Sequence, residues 1–201
     1  MNKPNRTWIK IIKTLLFIVL ILLLAAYIFS KITSSVTKNI DSYIYNLPYE
    51  KGTKQAVVQG YGGLFSHKNI AALDFEMPEG SAIFAAREGI IYGFKDDSDE
   101  GGPFAKYKNK ANYIIVKHTD GSFGCYWHLK KEGVVIKKGT IEKGQLIGYS
   151  GAIGFTLQPH LHFSVKRKLN YSKEAFVQTK FITTNGIELL QNGNSYVRPL
   201  E

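Results

Sequence analysis

Residues 158–164 read QPHLHFS, and the alternation within and just beyond them decides how the chain folds. Leu161, Phe163 and Val165 recur at every second position with His160 and His162 among them, which is the period of a half-buried β-strand. Successive side chains of a strand point to opposite faces, so both imidazoles project to one side, roughly 6.5 Å apart, while Leu161 and Phe163 enter the core. Two imidazoles side by side suggest a metal ion. The other reading of an isolated H-x-H is one satisfied core histidine and one surface histidine, and the rest of the chain has to choose.

Working outward, short alternating runs fill the chain from about Leu47: AVVQG, SAIFAA, GIIYGF, NYIIVKH, SFGCYWHL, GVVIKKG, QLIGYS and HLHFSV, punctuated by glycine. No long amphipathic helical stretch interrupts them, so a mostly β, antiparallel domain is expected. The spacing Gly133, Gly139, Gly144, Gly148, Gly151, Gly154 resembles the swapped hairpins of biotinyl and lipoyl carriers, a barrel-sandwich-like arrangement. Those carriers need a modifiable lysine flanked by methionine at a hairpin tip. Met1 and Met77 are the only methionines and neither fits, so a carrier role is not supported.

At 201 residues the chain has room for one ordinary domain plus attachments. Its 44% hydrophobic, 21% charged and 13% aromatic residues are those of a globular protein. The departure is N-terminal: an unbroken apolar run from Leu15 to Phe29 follows Lys3, Arg6, Lys10 and Lys13. Counted from Ile9, with the lysines reaching towards headgroups, the run can cross roughly 30 Å of hydrocarbon. Ala25 and Ala26 lie inside it and no A-x-A site follows, which favours a transmembrane anchor over a cleaved signal peptide. Basic residues before the run place residues 1–8 in the cytoplasm as a tail, 9–30 as a single-pass helix in the cytoplasmic (inner) membrane, and the remainder extracytoplasmic. Residues 31–46, including the Ser/Thr-rich KITSSVTKNIDSY, read as a linker of roughly 45 Å if extended. Residues 169–201 read as a C-terminal β extension without chemistry of its own.

The lone cysteine, Cys125, excludes an internal disulfide and reads as a small buried hydrophobe. The formal charge of +10 falls to about +6 without the four basic residues of the N-terminal stretch, and clusters such as KRK at 166–168 suit an anionic envelope polymer. No nucleic-acid partner is expected in that compartment.

Chemistry concentrates in histidines. His67 follows the glycine-rich QGYGGLFSH, and Asp74 lies in the apolar AALDFEMP, where an uncompensated carboxylate is costly to bury. A catalytic zinc takes three protein ligands and keeps one position open, a count that His67, Asp74 and one member of the H-x-H pair satisfy. His128 in CYWHL alternates with Trp127 and Leu129, so it should face away from both. A further histidine beside such a site could manage the proton of a nucleophilic water. His118, just before an Asp-Gly turn, reads as structural.

Taken in order, SH, ALDF-MP-G, A-REG-I, N-IIVKHTDG, YWHL, KKG-IEKGQLIGYSG and PHLHF resemble the lysostaphin-type zinc metallopeptidases that cleave peptidoglycan peptides. The resemblance covers roughly residues 47–168 as the peptidase domain. It implies one zinc ion held by His67, Asp74 and His162, with His128 and His160 as the catalytic pair. Six residues, KNIAAL, separate His67 from Asp74 where the commoner family spacing is three. The implied activity is a zinc endopeptidase cutting peptidoglycan stems or cross-bridges. The alternatives are a non-catalytic envelope scaffold or activator on the same fold, which would be expected to have lost ligands, and an endopeptidase acting on glycine-rich envelope proteins.

Overall fold

The computed structural model describes residues 6–36, 40–170 and 172–201, with side chains of the N-terminal helix described over 10–27. Residues 1–5 of the expected cytoplasmic tail and 37–39 of the expected linker lie outside the described residues. The chain divides into two compact units, residues 1–38 and 39–201.

The first unit is one helix, Arg6–Val36, whose 31 residues span about 46 Å at 1.5 Å each. Its window Lys10–Tyr27, of mean hydropathy 2.3, is long and apolar enough to cross a membrane. Every side chain described there is exposed.

The second unit is mostly β, with antiparallel pairing dominant, as the alternating runs predict. Among the described residues, eleven strands form one large sheet, three more form a small sheet and two short ones a pair. The centre of the large sheet is the strand His160–Lys166, flanked by Ala72–Glu76 on one side and Phe123–Trp127 on the other. Leu73, Phe75, Leu161 and Phe163 turn inward, each no more than 1% exposed, and meet Tyr45, Tyr126 and Phe181 in an aromatic core. The alternate residues, Asp74, His160 and His162, take the opposite face.

The linker expected over 31–46 is not what forms: residues 31–36 continue the helix and Ile40–Asn46 is a strand. It pairs in parallel with Phe176–Thr183, from the expected C-terminal extension, with Tyr45 opposite Phe181. Phe176–Thr183 also pairs with Val165 and Lys166 at the end of the central strand. The apolar period of this first strand is hidden because its inward face runs Asp41, Tyr43, Tyr45. Asp41 is 2% exposed and accepts hydrogen bonds from the Tyr45 hydroxyl (2.8 Å) and the Tyr43 amide (3.0 Å), which offsets the cost of burying it.

Candidate metal centre

Cross-strand register assembles most of the site. His162 stands opposite Asp74 on one side and opposite Trp127 on the other, so these three side chains share a face. His67 arrives from the irregular segment between Lys54–Gln59 and Ala72–Glu76, where it is completely buried. Residues 68–71 form the turn after it, with Asn69 in the left-handed region at φ 64°, while Ala72 and Leu73 already belong to the strand. The extra residues therefore lengthen a turn without shifting Asp74 off its strand.

Three donor atoms converge. His67 Nε2 lies 3.1 Å from Asp74 Oδ1 and 3.1 Å from His162 Nδ1, and His162 Nδ1 lies 2.9 Å from the same Oδ1. The spacing suits three ligands of one small dication with bonds of roughly 2.0–2.2 Å. The His67 tautomer suits it too: Nδ1–H donates to the Gly60 carbonyl at 3.1 Å, leaving Nε2 with its lone pair on the site. Burial alone would raise the Asp74 pKa, but contacts with His162 and His67 outweigh it and hold the carboxyl well below the usual carboxylate range. Burial also lowers the His162 pKa, against the pull of Asp74. The donor set is thus an anion and two imidazoles, a combination that accepts a metal ion.

The two remaining histidines flank the cluster. His160 stands opposite Glu76, with Nε2 3.7 Å from Asp74 Oδ1. Its Nδ1–H donates to the Gln158 carbonyl at 2.9 Å, beside Thr156 Oγ1 at 3.1 Å. The His128 ring lies 4.6 Å from that of His160 and 6.0 Å from that of His162. Strict alternation would send it to the face opposite Trp127, and here the sequence expectation fails. At His128 the chain leaves the large sheet after Phe123–Trp127 and enters the small sheet as Leu129–Val134. The switch is made with His128 at φ 68°, a left-handed conformation that costs a non-glycine residue energy and recurs at functional positions. His128 thereby joins the face that carries His162 and Trp127.

The tautomer of His128 is also fixed, because Nδ1–H donates to the Ile153 carbonyl at 2.7 Å. Ile153 is held by a two-strand clip in which Gly154–Phe155 pairs in parallel with Gly101–Gly102. Gly154 has φ +95°, and a Cβ there would come within 2.6 Å of the Ala111 Cβ, so only glycine fits without displacement. Burial first, then the neighbouring His160 and His162, push the His128 imidazole down to about 3.

His118 lies away from the cluster, with Nδ1–H donated to the Glu88 carbonyl at 2.7 Å and its ring against Tyr45. Cys125 is buried and its thiol is pushed up to about 12 by burial, which suits a packing role. Two neighbours of the cluster were not singled out from sequence: Gln59, which donates to Asp74 Oδ2, and Trp127, whose ring packs 4.6 Å from that of Tyr113.

A β domain that gathers two histidines and an aspartate on one sheet face, with two more histidines beside them, belongs to the metal-binding enzyme folds. The chain is a member of peptidase family M23, whose sequence profile matches residues 68–174. That agrees with the lysostaphin-type resemblance carried by the motifs. His67 falls one residue before the matched span. Among curated proteins, the chain is 31% identical over 93 residues to the peptidoglycan DD-endopeptidase ShyA of Vibrio cholerae serotype O1, covering 46% of this chain and 19% of that protein. It is 33% identical over 94 residues to an uncharacterized metalloprotease of Buchnera aphidicola, covering 46% and 22%. The chain thus spans about a fifth of the length of these relatives. Among solved structures, the catalytic domain of lysostaphin from Staphylococcus simulans aligns over 64% of this chain and 86% of its own, at 25% identity and a TM-score of 0.42.

Proposed function

We propose that this protein is a membrane-anchored zinc endopeptidase that hydrolyses peptide bonds in peptidoglycan. The observation that carries the reading is the convergence of His67 Nε2, Asp74 Oδ1 and His162 Nδ1 within 4.8 Å of one another, beside two histidines whose Nδ1 atoms are already engaged. His67, Asp74 and His162 would hold the ion, which when bound supplies Lewis-acid polarisation of the scissile carbonyl and a water of pKa roughly 7.

The protein's own groups supply the rest. His128, neutral at physiological pH and donating through Nδ1, keeps Nε2 as the acceptor for the proton of the attacking water. His160, held through Nδ1 in the same way, is the second proton-handling group, and its Nε2 is placed beside the ligand cluster. Once protonated, either imidazolium can face the developing oxyanion or pass its proton to the departing amine. The peptidoglycan assignment is supported by family membership and by relatives named peptidoglycan endopeptidases. The excess of lysine and arginine over acids suits an anionic wall. Lys10–Tyr27 anchors the chain in the cytoplasmic membrane, with the basic N-terminus inside and the β unit outside.

The test is bound-metal analysis of the full chain in detergent micelles, together with digestion of purified peptidoglycan read as released amines. Stoichiometric zinc and chelator-sensitive release are expected. Zinc binding without release, on peptidoglycan or on a glycine-rich protein, would turn the reading to a scaffold. Release from the glycine-rich protein alone would move the substrate.

A further inference from the structure

Gln59 lies outside the cluster of histidines and yet touches it. The strand Lys54–Gln59 runs antiparallel to Ala72–Glu76, with Val57 opposite Phe75. A regular ladder would then set Val58 opposite Asp74, but the register slips by one residue and Gln59 takes that place. A bulge of this kind re-aims the side chain that follows it. Val58 is left 41% exposed, while Gln59, 8% exposed, turns onto the face of Asp74.

The orientation of its amide follows from its neighbours. Oε1 accepts the backbone N–H groups of Phe65 (3.2 Å) and Ser66 (3.1 Å), so the other atom is the nitrogen. Nε2 donates to Asp74 Oδ2 at 2.8 Å and to Ser66 Oγ at 2.7 Å. All four bonding directions of the amide are used. Asp74 therefore has Oδ2 committed to Gln59 and only Oδ1 in the triangle with His67 and His162.

We infer that Gln59 is a positioning residue of the metal centre, an inference that rests on the zinc site proposed above. By occupying Oδ2 it restricts Asp74 to one donor oxygen. By gripping the amides of residues 65 and 66 it sets the backbone that delivers His67. One side chain thus aligns two ligands that come from different segments, and the bulge at Val58 is what aims it.

The two roles separate by substitution. Gln59→Glu keeps the acceptor for Phe65 and Ser66 but cannot donate to Asp74 while ionised, and Gln59→Met removes both contacts at similar length. The probes are zinc and cobalt(II) alone, with the full chain in detergent, zinc affinity being read by chelator competition and cobalt geometry by visible absorption. Gln59→Met is expected to weaken zinc binding by about 10–100-fold. Cobalt-loaded Gln59→Glu is expected to show weaker, shifted bands, because a freed and repelled Oδ2 adds to the coordination sphere. A Gln59→Glu spectrum superimposable on wild type, or Gln59→Met affinity within about threefold of wild type, overturns the inference. Gln59→Glu decides alone if Gln59→Met does not fold. Failure of the wild-type chain to bind zinc would overturn the metal centre as well, whereas tight binding by wild type and variants alike overturns only the role of Gln59.

Discussion

Asp74 and His162 stand directly opposite one another on adjacent antiparallel strands, with Oδ1 2.9 Å from Nδ1. Their spacing is therefore set by the ladder that also buries Leu73, Phe75, Leu161 and Phe163, and it cannot change without disturbing the core. His67 has no such constraint, since it comes from an irregular segment and is held through Gly60. The site has a half fixed by the sheet and a half delivered by a loop.

Removing a proposed ligand and removing a proton-handling neighbour should have different signatures. His162→Ala is expected to lose zinc and peptidase activity together. His128→Ala should retain stoichiometric zinc while activity falls by about 10²–10⁴-fold, the usual contribution of general acid–base catalysis. Metal content and hydrolysis rates measured on the same preparations check this, and equal loss of zinc by both variants would contradict the division of roles.

Asp74→Asn keeps size and shape but removes the charge that offsets a dication. Zinc affinity should fall by more than about 100-fold, beyond what a lost outer contact produces. Chelator competition measures it. Unchanged metal content would reduce Asp74 to a structural role.

Acid should weaken the fold through histidines that are buried uncharged. His118 is 3% exposed and its pKa is lowered, chiefly by burial. The unfolded chain then binds the extra proton first, so this contribution is complete above about pH 6.5 and declines as pH falls below it. Each such group can add up to about 1.4 kcal/mol per pH unit to the slope. His118→Gln should lower the slope between pH 7 and 5 by up to that amount, while His128 and His162, also lowered, keep it above zero. Urea titrations of the metal-free chain at several pH values provide the measurement, and an unchanged slope would exclude His118.

The proposed anchor predicts an intact N-terminus in the cell. Mass spectrometry of the membrane-extracted protein should find residues 1–30 attached, and protease added outside intact cells stripped of wall should digest the β unit. A chain beginning near Lys31 would contradict it.

Much of this was legible in sequence because it depends on period. HLHFSV gave the central strand, its buried side and the shared face of His160 and His162, since a period of two survives wherever one side is packed. Three features escaped, each by breaking that period. Asp41 stands at an inward position and disguises the first strand, the bulge at Val58 rotates Gln59 onto the site, and the left-handed His128 changes sheets. Neither the slip nor the switch leaves a mark in composition. Parallel pairing of Ile40–Asn46 with Phe176–Thr183 joins segments more than a hundred residues apart, a contact that local pattern cannot announce.

The hydrogen bond from His128 to the Ile153 carbonyl means that the proton inventory of a side chain is governed by distant backbone. Imidazole has two interchangeable neutral forms, and here a peptide oxygen selects one of them. That oxygen keeps its place only while Gly154–Phe155 stays clipped to Gly101–Gly102, where a Cβ on Gly101 would collide with the Ala152 carbonyl. A change such as Gly101→Ala, remote in sequence from every histidine, would release the selector and let both forms compete. Such a lesion is expected to cost turnover more than metal binding, because His67, Asp74 and His162 lie outside the glycine clip.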